Sequence, residues 1–395
     1  MADIYKYEKP KRSATKEALR SIFLHRFQLI YRGLILLAIL VVSGIIIYRS
    51  YLLKEYDGYE VISFAQREAI PGTVHKRLGN SILVYSKDGA HGVDAKGEKL
   101  WDVTFELQDP RAAISGGCAA LYDENGRSLY LVDEKEVLGE IKTTLPIRNA
   151  AVSENGIVSA LEIDGETTWI YVYNAAGEEL VGFKTSMAGS GYPLAIALSP
   201  DASLFAVSYL YADRGEFRTS VSFYNFGAVG QNYTDRYVSG YDYIGRVVPM
   251  IGFLSSDTIY ALSDDRLMIY SGSEIPVSKT EIFLQDRVIS AYVSGGYVNL
   301  VFSDTSGQAK YRLETYGQDG EKESSVLLDI DYTDIVTGSG SLMAYNSTEC
   351  RVFSLAGQKK LSATFNSPVL LASPRGRGYR YTLVTSKGIE TMRLN

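Results

Sequence analysis

The chain has 395 residues, is 46% hydrophobic, holds 30 Tyr against 14 Phe and 2 Trp, and carries a formal net charge of −6. Residues 1–57 hold ten Lys or Arg and five Asp or Glu, a balance of +5, so residues 58–395 carry −11. An acidic main body lacks the basic face that nucleic-acid binding needs, and two Cys with three His form no CxxC or Cys/His metal pattern.

The first predicted element is a basic tail, 1–32. Within it Leu19, Ile22, Phe23, Phe27 and Ile30 recur at helical spacing. Two readings stand for this segment: an amphipathic helix lying on an anionic membrane surface, or a basic flank that orients the neighbouring apolar segment. Next come sixteen residues without a charge, 33–48, read as the centre of a transmembrane signal anchor over 33–53. As a helix this stretch spans roughly 24 Å against a hydrocarbon core of about 30 Å. Apolar neighbours lengthen it on both sides, Arg32 and Arg49 can snorkel, and Tyr31, Tyr48 and Tyr51 suit the headgroup boundary. Lys6, Lys9, Lys11, Arg12, Lys16, Arg20, Arg26 and Arg32 all precede the segment. The positive-inside rule therefore puts 1–32 in the cytoplasm and 54–395 outside. The apolar run leads into no Ala-x-Ala-like cleavage site, so the anchor is expected to stay in place, giving a single-pass plasma-membrane protein with an extracellular C-terminal domain.

Beyond the anchor one turn signature recurs. Val93-Asp94-Ala95-Lys96-Gly97-Glu98, Tyr173-Asn174-Ala175-Ala176-Gly177-Glu178, Tyr316-Gly317-Gln318-Asp319-Gly320-Glu321 and Phe353-Ser354-Leu355-Ala356-Gly357-Gln358 each close one alternating stretch and open the next. Degenerate copies at Val132, Tyr224, Tyr270 and Met392 bring the anchors to eight, at intervals of 39, 41, 51, 46, 46, 37 and 39 residues. A four-stranded propeller blade takes about 40–50 residues. The repeats read as strands at 73–78, 81–86, 90–94 and 99–106 in the first, continuing in fours to 334–337, 341–345, 350–354 and 360–365 in the seventh. The fourth is the longest, with strands at 194–199, 205–211, 219–224 and 232–239. The eighth has only 369–373, 379–385 and 388–394. Residues 59–66 alternate apolar and polar before the first repeat, and are expected to supply the missing outer strand and close the ring. The predicted fold is all-β, an eight-bladed propeller preceded by one transmembrane helix, with seven blades as the alternative because the long fourth repeat blurs the register.

Two segments carry a family resemblance. Ala90-His91-Gly92-Val93-Asp94-Ala95-Lys96-Gly97-Glu98-Lys99-Leu100-Trp101 resembles the PQQ-like repeat of quinoprotein-type propellers, in which a strand ends in Asp-Ala, turns through Gly and returns to Trp. Leu198-Ser199-Pro200-Asp201-Ala202-Ser203 resembles the Ser-Pro-Asp hairpin of WD40-like and TolB-like propellers, with Ala202 where Gly is usual. Anchor and propeller together resemble an uncharacterised family of membrane-tethered proteins of Gram-positive bacteria. The resemblance implies the fold. Quinoprotein dehydrogenases dock their blades through a ring of Trp, whereas only Trp101 and Trp169 stand here, so no cofactor is expected.

Signals for chemistry are few. His75 and His91 are not accompanied by a Gly-x-Ser-x-Gly elbow and read as strand histidines. The acidic pairs Asp123/Glu124, Glu178/Glu179, Asp264/Asp265 and Asp329/Asp331 fall at strand ends and turns, where acids are solvated. No calcium-loop spacing occurs, so neither a catalytic nor a metal residue is assigned. Cys118 and Cys350, in different repeats, read as buried free thiols. The best candidate for a protein-binding surface is the irregular fourth repeat, 209–246. It holds Tyr209, Tyr211, Arg214, Tyr233, Arg236, Tyr237, Tyr241 and Tyr243, the residue types that dominate binding hot spots. A longer Tyr-rich blade is the competing explanation. The expected function is a non-enzymatic interaction or scaffold module of the cell envelope with an unknown envelope protein as partner. The alternative is an envelope glycan-binding protein or glycan-acting enzyme, which carboxylates clustered on the central channel would favour.

Overall fold

The computed structural model describes residues 12–165, 167–186, 191–213, 215–376 and 378–395. These fall into two compact units, one ending at Glu55 and the other Tyr56–Asn395. The first is one helix, Arg12–Leu53, of 42 residues. The basic flank and the apolar run share this helix because no Pro interrupts 12–53. Residues 1–11 of the tail lie outside the described residues. Among the described residues no helix is long and apolar enough to cross a membrane.

In the second unit the described strands form eight four-stranded antiparallel sheets. Seven are built from consecutive strands, blades one to seven, within 74–104, 110–142, 147–186, 192–244, 250–283, 288–328 and 334–364. Blade eight takes Val369–Pro374, Arg380–Thr385 and Gly388–Leu394, and Tyr59–Gln66 adds to its edge. Tyr59 lies opposite Leu394 and Gln66 opposite Gly388, with a bulge between Val61 and Ser63. The two ends of the propeller thus share one sheet, and eight blades replace the seven-bladed alternative.

The recurring turn now has a physical reason. All eight anchors lie in third strands. In the four clear copies the glycine sits at positive φ: Gly97 81°, Gly177 80°, Gly320 82° and Gly357 82°. Each glycine N–H donates to the carbonyl three residues earlier, at 3.0, 3.0, 3.1 and 2.9 Å. A side chain there would also press on the outer strand of the preceding blade: a Cβ on Gly97 meets Ala65, on Gly320 Thr280 and Ile282, on Gly357 Ser324 and Val326. The signature therefore encodes blade docking as well as chain reversal.

The core lies between blades. Seven interfaces carry a buried aromatic ring: Trp101 between blades one and two, then Tyr122, Phe205, Tyr270, Phe302, Phe353 and Tyr381 in order around the ring. Trp101 also donates to the Asp133 carbonyl of blade two at 2.8 Å. Buried tyrosines find hydroxyl partners, as Tyr243 with Tyr270 at 2.6 Å and Tyr381 with Ser341 at 2.6 Å. This is how so Tyr-rich a chain satisfies its polar core atoms. The eighth interface, where blade eight meets blade one, is built from aliphatics alone: Ala65, Ile82, Val84, Val93, Leu371, Val384 and Ile389.

Candidate functional site

Blade four departs most from the repeat. Its second and third strands, Leu204–Asp213 and Glu216–Asn225, are ten residues each. The connection from the third to the fourth strand carries two 3-10 turns, Gly230–Asn232 and Thr234–Arg236. The predicted fourth strand at 232–239 is corrected to Tyr237–Ile244. Asp235 and Arg236 adopt φ of 53° and 60°, which no strand accommodates, so pairing starts only at Tyr237. At the head of this connection Asn225 accepts from the Gly227 N–H at 2.7 Å and donates to the Glu274 carbonyl of blade five at 2.9 Å.

The Tyr/Arg set does not converge on one patch. Strand direction puts Tyr211 and Arg218 at the end of the sheet that ends in the hairpin between Asp213 and Glu216. It puts Tyr233, Arg236 and Tyr237 at the opposite end, where Tyr224 faces Tyr237. Six residues separate the Arg218/Ile244 rung from that rung, roughly 20 Å at about 3.3 Å per residue. Alternation then splits the side chains between two faces. Tyr209 packs toward blade three, is 1% exposed, and has its hydroxyl 3.3 Å from that of Tyr224. Tyr243 packs toward blade five, is 7% exposed, and is tied to Tyr270. Both are core residues. Tyr241 is half-buried beside Tyr270, its hydroxyl accepting from the Ser278 N–H at 3.0 Å. Tyr233 and Tyr237 are exposed, and Arg236 donates to the Phe226 carbonyl at 3.2 Å. Arg214 lies outside the described residues.

At the hairpin end the structure adds side chains that sequence reading passed over. Phe217 is 63% and Ile244 67% exposed. The Arg218 guanidinium lies 4.3 Å over the Tyr211 ring and pairs with Asp242 at 3.2 Å; register puts Tyr211, Arg218 and Ile244 on one face of the sheet and Phe217 on the other. The strand pattern alone could not single out Phe217, because an apolar residue near a strand end also reads as core.

Inner strands of blades two to six converge on a cavity of about 380 Å³, lined by small and aliphatic residues such as Ala113, Ala151, Ala197 and Gly252; no Asp or Glu lines it. Most of the acidic pairs are committed elsewhere. Asp123 accepts the Gln108 and Asp109 N–H groups at 2.9 and 2.7 Å, and Glu124 bridges Arg111 and Arg148 at 2.9 and 2.8 Å. Asp265 bridges Arg246 and Arg266 at 2.6 and 2.9 Å, and the hydrogen bonds from Arg266, Ser263 and Arg246 hold its carboxyl well below the usual range. Asp329 pairs with Arg351, and Asp331 with Lys310. A carboxylate that sequence reading missed is Glu162, fully buried, accepting from the Tyr173 hydroxyl at 2.8 Å and the Leu145 N–H at 3.2 Å. Burial raises its pKa, and its two bonds hold the start of blade three in place. Among the described residues no group of three or more His, Cys, Asp or Glu could hold a metal ion. Cys118 and Cys350 are free and buried, and burial pushes their thiols up to about 11 and about 12. Few thiolates form near neutral pH under such shifts.

Residues 52–394 match the family of unknown function DUF5711. The chain belongs to that family. No curated protein matches its sequence. In solved structures the fold is similar to BamB from Moraxella catarrhalis, at 13% identity, covering 85% of this chain and 100% of that one, with a TM-score of 0.50. It is also similar to AztD from Citrobacter koseri, at 11% identity over 75% of this chain and 87% of that one, TM-score 0.51. Sqt1 from Chaetomium thermophilum aligns at 12% identity over 87% and 99%, TM-score 0.50. At such identity the likeness is one of fold, in keeping with the PQQ-like and WD40-like repeats of the sequence.

Proposed function

We propose that this member of DUF5711 is a single-pass protein of the plasma membrane whose propeller, outside the cell, is a protein-interaction scaffold. The helix Arg12–Leu53 supports the anchor: Leu34, Leu36, Leu40 and Ile46 are uncovered around its length, and bare apolar side chains of this density need lipid or a partner. The basic excess before Gly33 supports the orientation.

The observation that carries the scaffold reading is the hairpin end of blade four. Phe217 stands in solvent on one face of this end, and Ile244 stands in solvent on the other beside the Arg218–Tyr211 stack; core packing does not account for their exposure. A cleft on an envelope protein that straddles the hairpin, burying Phe217 on one face and engaging the Arg218 stack on the other, fits this end. The surface is narrowed from the whole of 209–246 to Tyr211, Phe217, Arg218 and Ile244. Tyr233, Arg236 and Tyr237 form a separate surface at the other end.

The test is cross-linking of the full chain in native membranes, then affinity purification. With the partner in hand, Phe217→Ala and Tyr211→Ala should each weaken binding by roughly 2 kcal/mol while the melting temperature holds. Normal binding by both variants removes blade four from the interface. Protease added to wall-stripped cells should digest the propeller, and full protection would refute the orientation.

A further inference from the structure

The interface between blades eight and one combines three features. It holds no aromatic ring among its buried described residues, it encloses a cavity of about 230 Å³, and it places both histidines of the propeller at that cavity. Ile82, Val84 and Val93 of blade one face Val384 and Ile389 of blade eight across the space, and the connection at 67–70 roofs it.

Sheet register explains the histidines. His75 lies opposite Val84, Val84 opposite His91, and His91 opposite Asp102, so one row crosses blade one on a single face. Both imidazoles are half-buried. Arg67, held by its bond to the Gly97 carbonyl at 3.0 Å, and Glu68 complete the polar rim. The cavity continues into a surface groove of about 700 Å³ that shares Arg67, Ile70, Val84 and His91 with it. Lys99 and Asp102 line that groove as an ion pair at 3.0 Å, with Lys87 and Asp88 on the hairpin beyond. Blade eight contributes only apolar side chains, Val384 and Ile389.

An apolar cavity of about 150 Å³ already stays dry and holds benzene, and small-molecule sites are apolar chambers with a few placed polar groups. We propose that this seam cavity binds a small aromatic carboxylic acid, its ring in the aliphatic chamber and its carboxylate at His75, His91 and Arg67. The ligand supplies the ring that the interface lacks. Burial first, then mutual charge for His75 and Arg67 and Lys99 for His91, keeps both imidazoles below their ordinary pKa and so neutral near pH 7. A neutral imidazole can still donate one N–H to a carboxylate. An anion beside them favours protonation, so binding takes up protons and tightens as pH falls.

The test uses the full chain, with benzoate as probe and benzyl alcohol as its uncharged counterpart. Only three histidines occur, so imidazole NMR signals are readily assigned. Benzoate should shift His75 and His91 and leave His25 unmoved, and should bind several-fold tighter near pH 6 than near pH 7.5. Benzyl alcohol should bind about tenfold more weakly. Val84→Phe, which fills the chamber with a ring, should abolish benzoate binding and keep a cooperative melt; if that variant does not fold, His75→Gln with His91→Gln should lose the same binding. No shift of His75 and His91 at about 10 mM benzoate, or undiminished binding to the filled or His-free variant, overturns the site. Equal binding of benzyl alcohol overturns the carboxylate's role.

Discussion

The interface between blades four and five and the seam between blades eight and one have the same backbone plan and opposite fillings. In the first, Phe223 packs edge-on against Tyr270 at 5.0 Å, Tyr241 lies 5.2 Å from the same ring, and the Tyr243 and Tyr270 hydroxyls meet at 2.6 Å. In the second, aliphatics and two half-buried histidines border a cavity. Both are crossed by a covalent connection, 245–249 in the first and 67–73 in the second, and the first is filled like a protein interior. The second borders a cavity, while the strand pairing that closes the ring lies within blade eight, between Tyr59–Gln66 and Gly388–Leu394. The propeller is therefore not a ring of equivalent joints: seven interfaces pack around an aromatic ring, and the interface of blades eight and one packs aliphatics alone.

The largest expected effect tests closure. A chain lacking residues 59–66 leaves the edge of Gly388–Leu394 unpaired and removes Ala65 from the seam. It should lose its cooperative unfolding transition or aggregate through the open edge, seen by calorimetry and size-exclusion chromatography. A melt matching that of the full chain would mean that the strand decorates the ring without closing it.

Next in size is a matched pair of truncations read by denaturant unfolding. Tyr270→Ala opens a void in a filled interface and strands the Tyr243 hydroxyl, so it should cost about 3–5 kcal/mol. Val84→Ala, at a wall that already borders empty space, should cost about 1 kcal/mol. Equal costs would show that the seam is as tightly packed as the rest.

The smallest effect is one of pH. The folded-state pKa of His75 and of His91 is lowered, chiefly by burial. Below the unfolded value of about 6.5 the unfolded chain binds more protons, so the stability these residues contribute is complete above about pH 6.5 and is lost as pH falls toward the folded values. Melting temperature should drop from about pH 7 to about pH 5, and His75→Gln with His91→Gln should flatten that drop. An unchanged slope in the double variant would place the titration elsewhere in the molecule.

Much of the fold was legible because its signals are local. A glycine at positive φ after a fixed strand end marks each clear turn, and the alternation of 59–66 together with a three-stranded last repeat located the closing strand. The fourth strand of blade four was misplaced because Asp235 and Arg236, two ordinary residues, take left-handed conformations that no local rule predicts. The binding surface was harder to read. Tyr209 and Tyr237 are the same residue type in the same segment, yet one is sealed between blades and the other stands in solvent.

By itself, the sequence determined the four-stranded repeat, the closing strand and the burial of the two thiols, since each comes from periodicity and turn chemistry along the chain, while the choice of eight blades over seven waited for the sheets themselves. Only the tertiary structure decided which tyrosines face a neighbouring blade, that Phe217 and Ile244 stand exposed together at one end, and that His75 and His91 share a cavity with Val384 and Ile389. Those facts depend on which residues meet across interfaces between distant segments. No window along the chain contains both sides of such an interface.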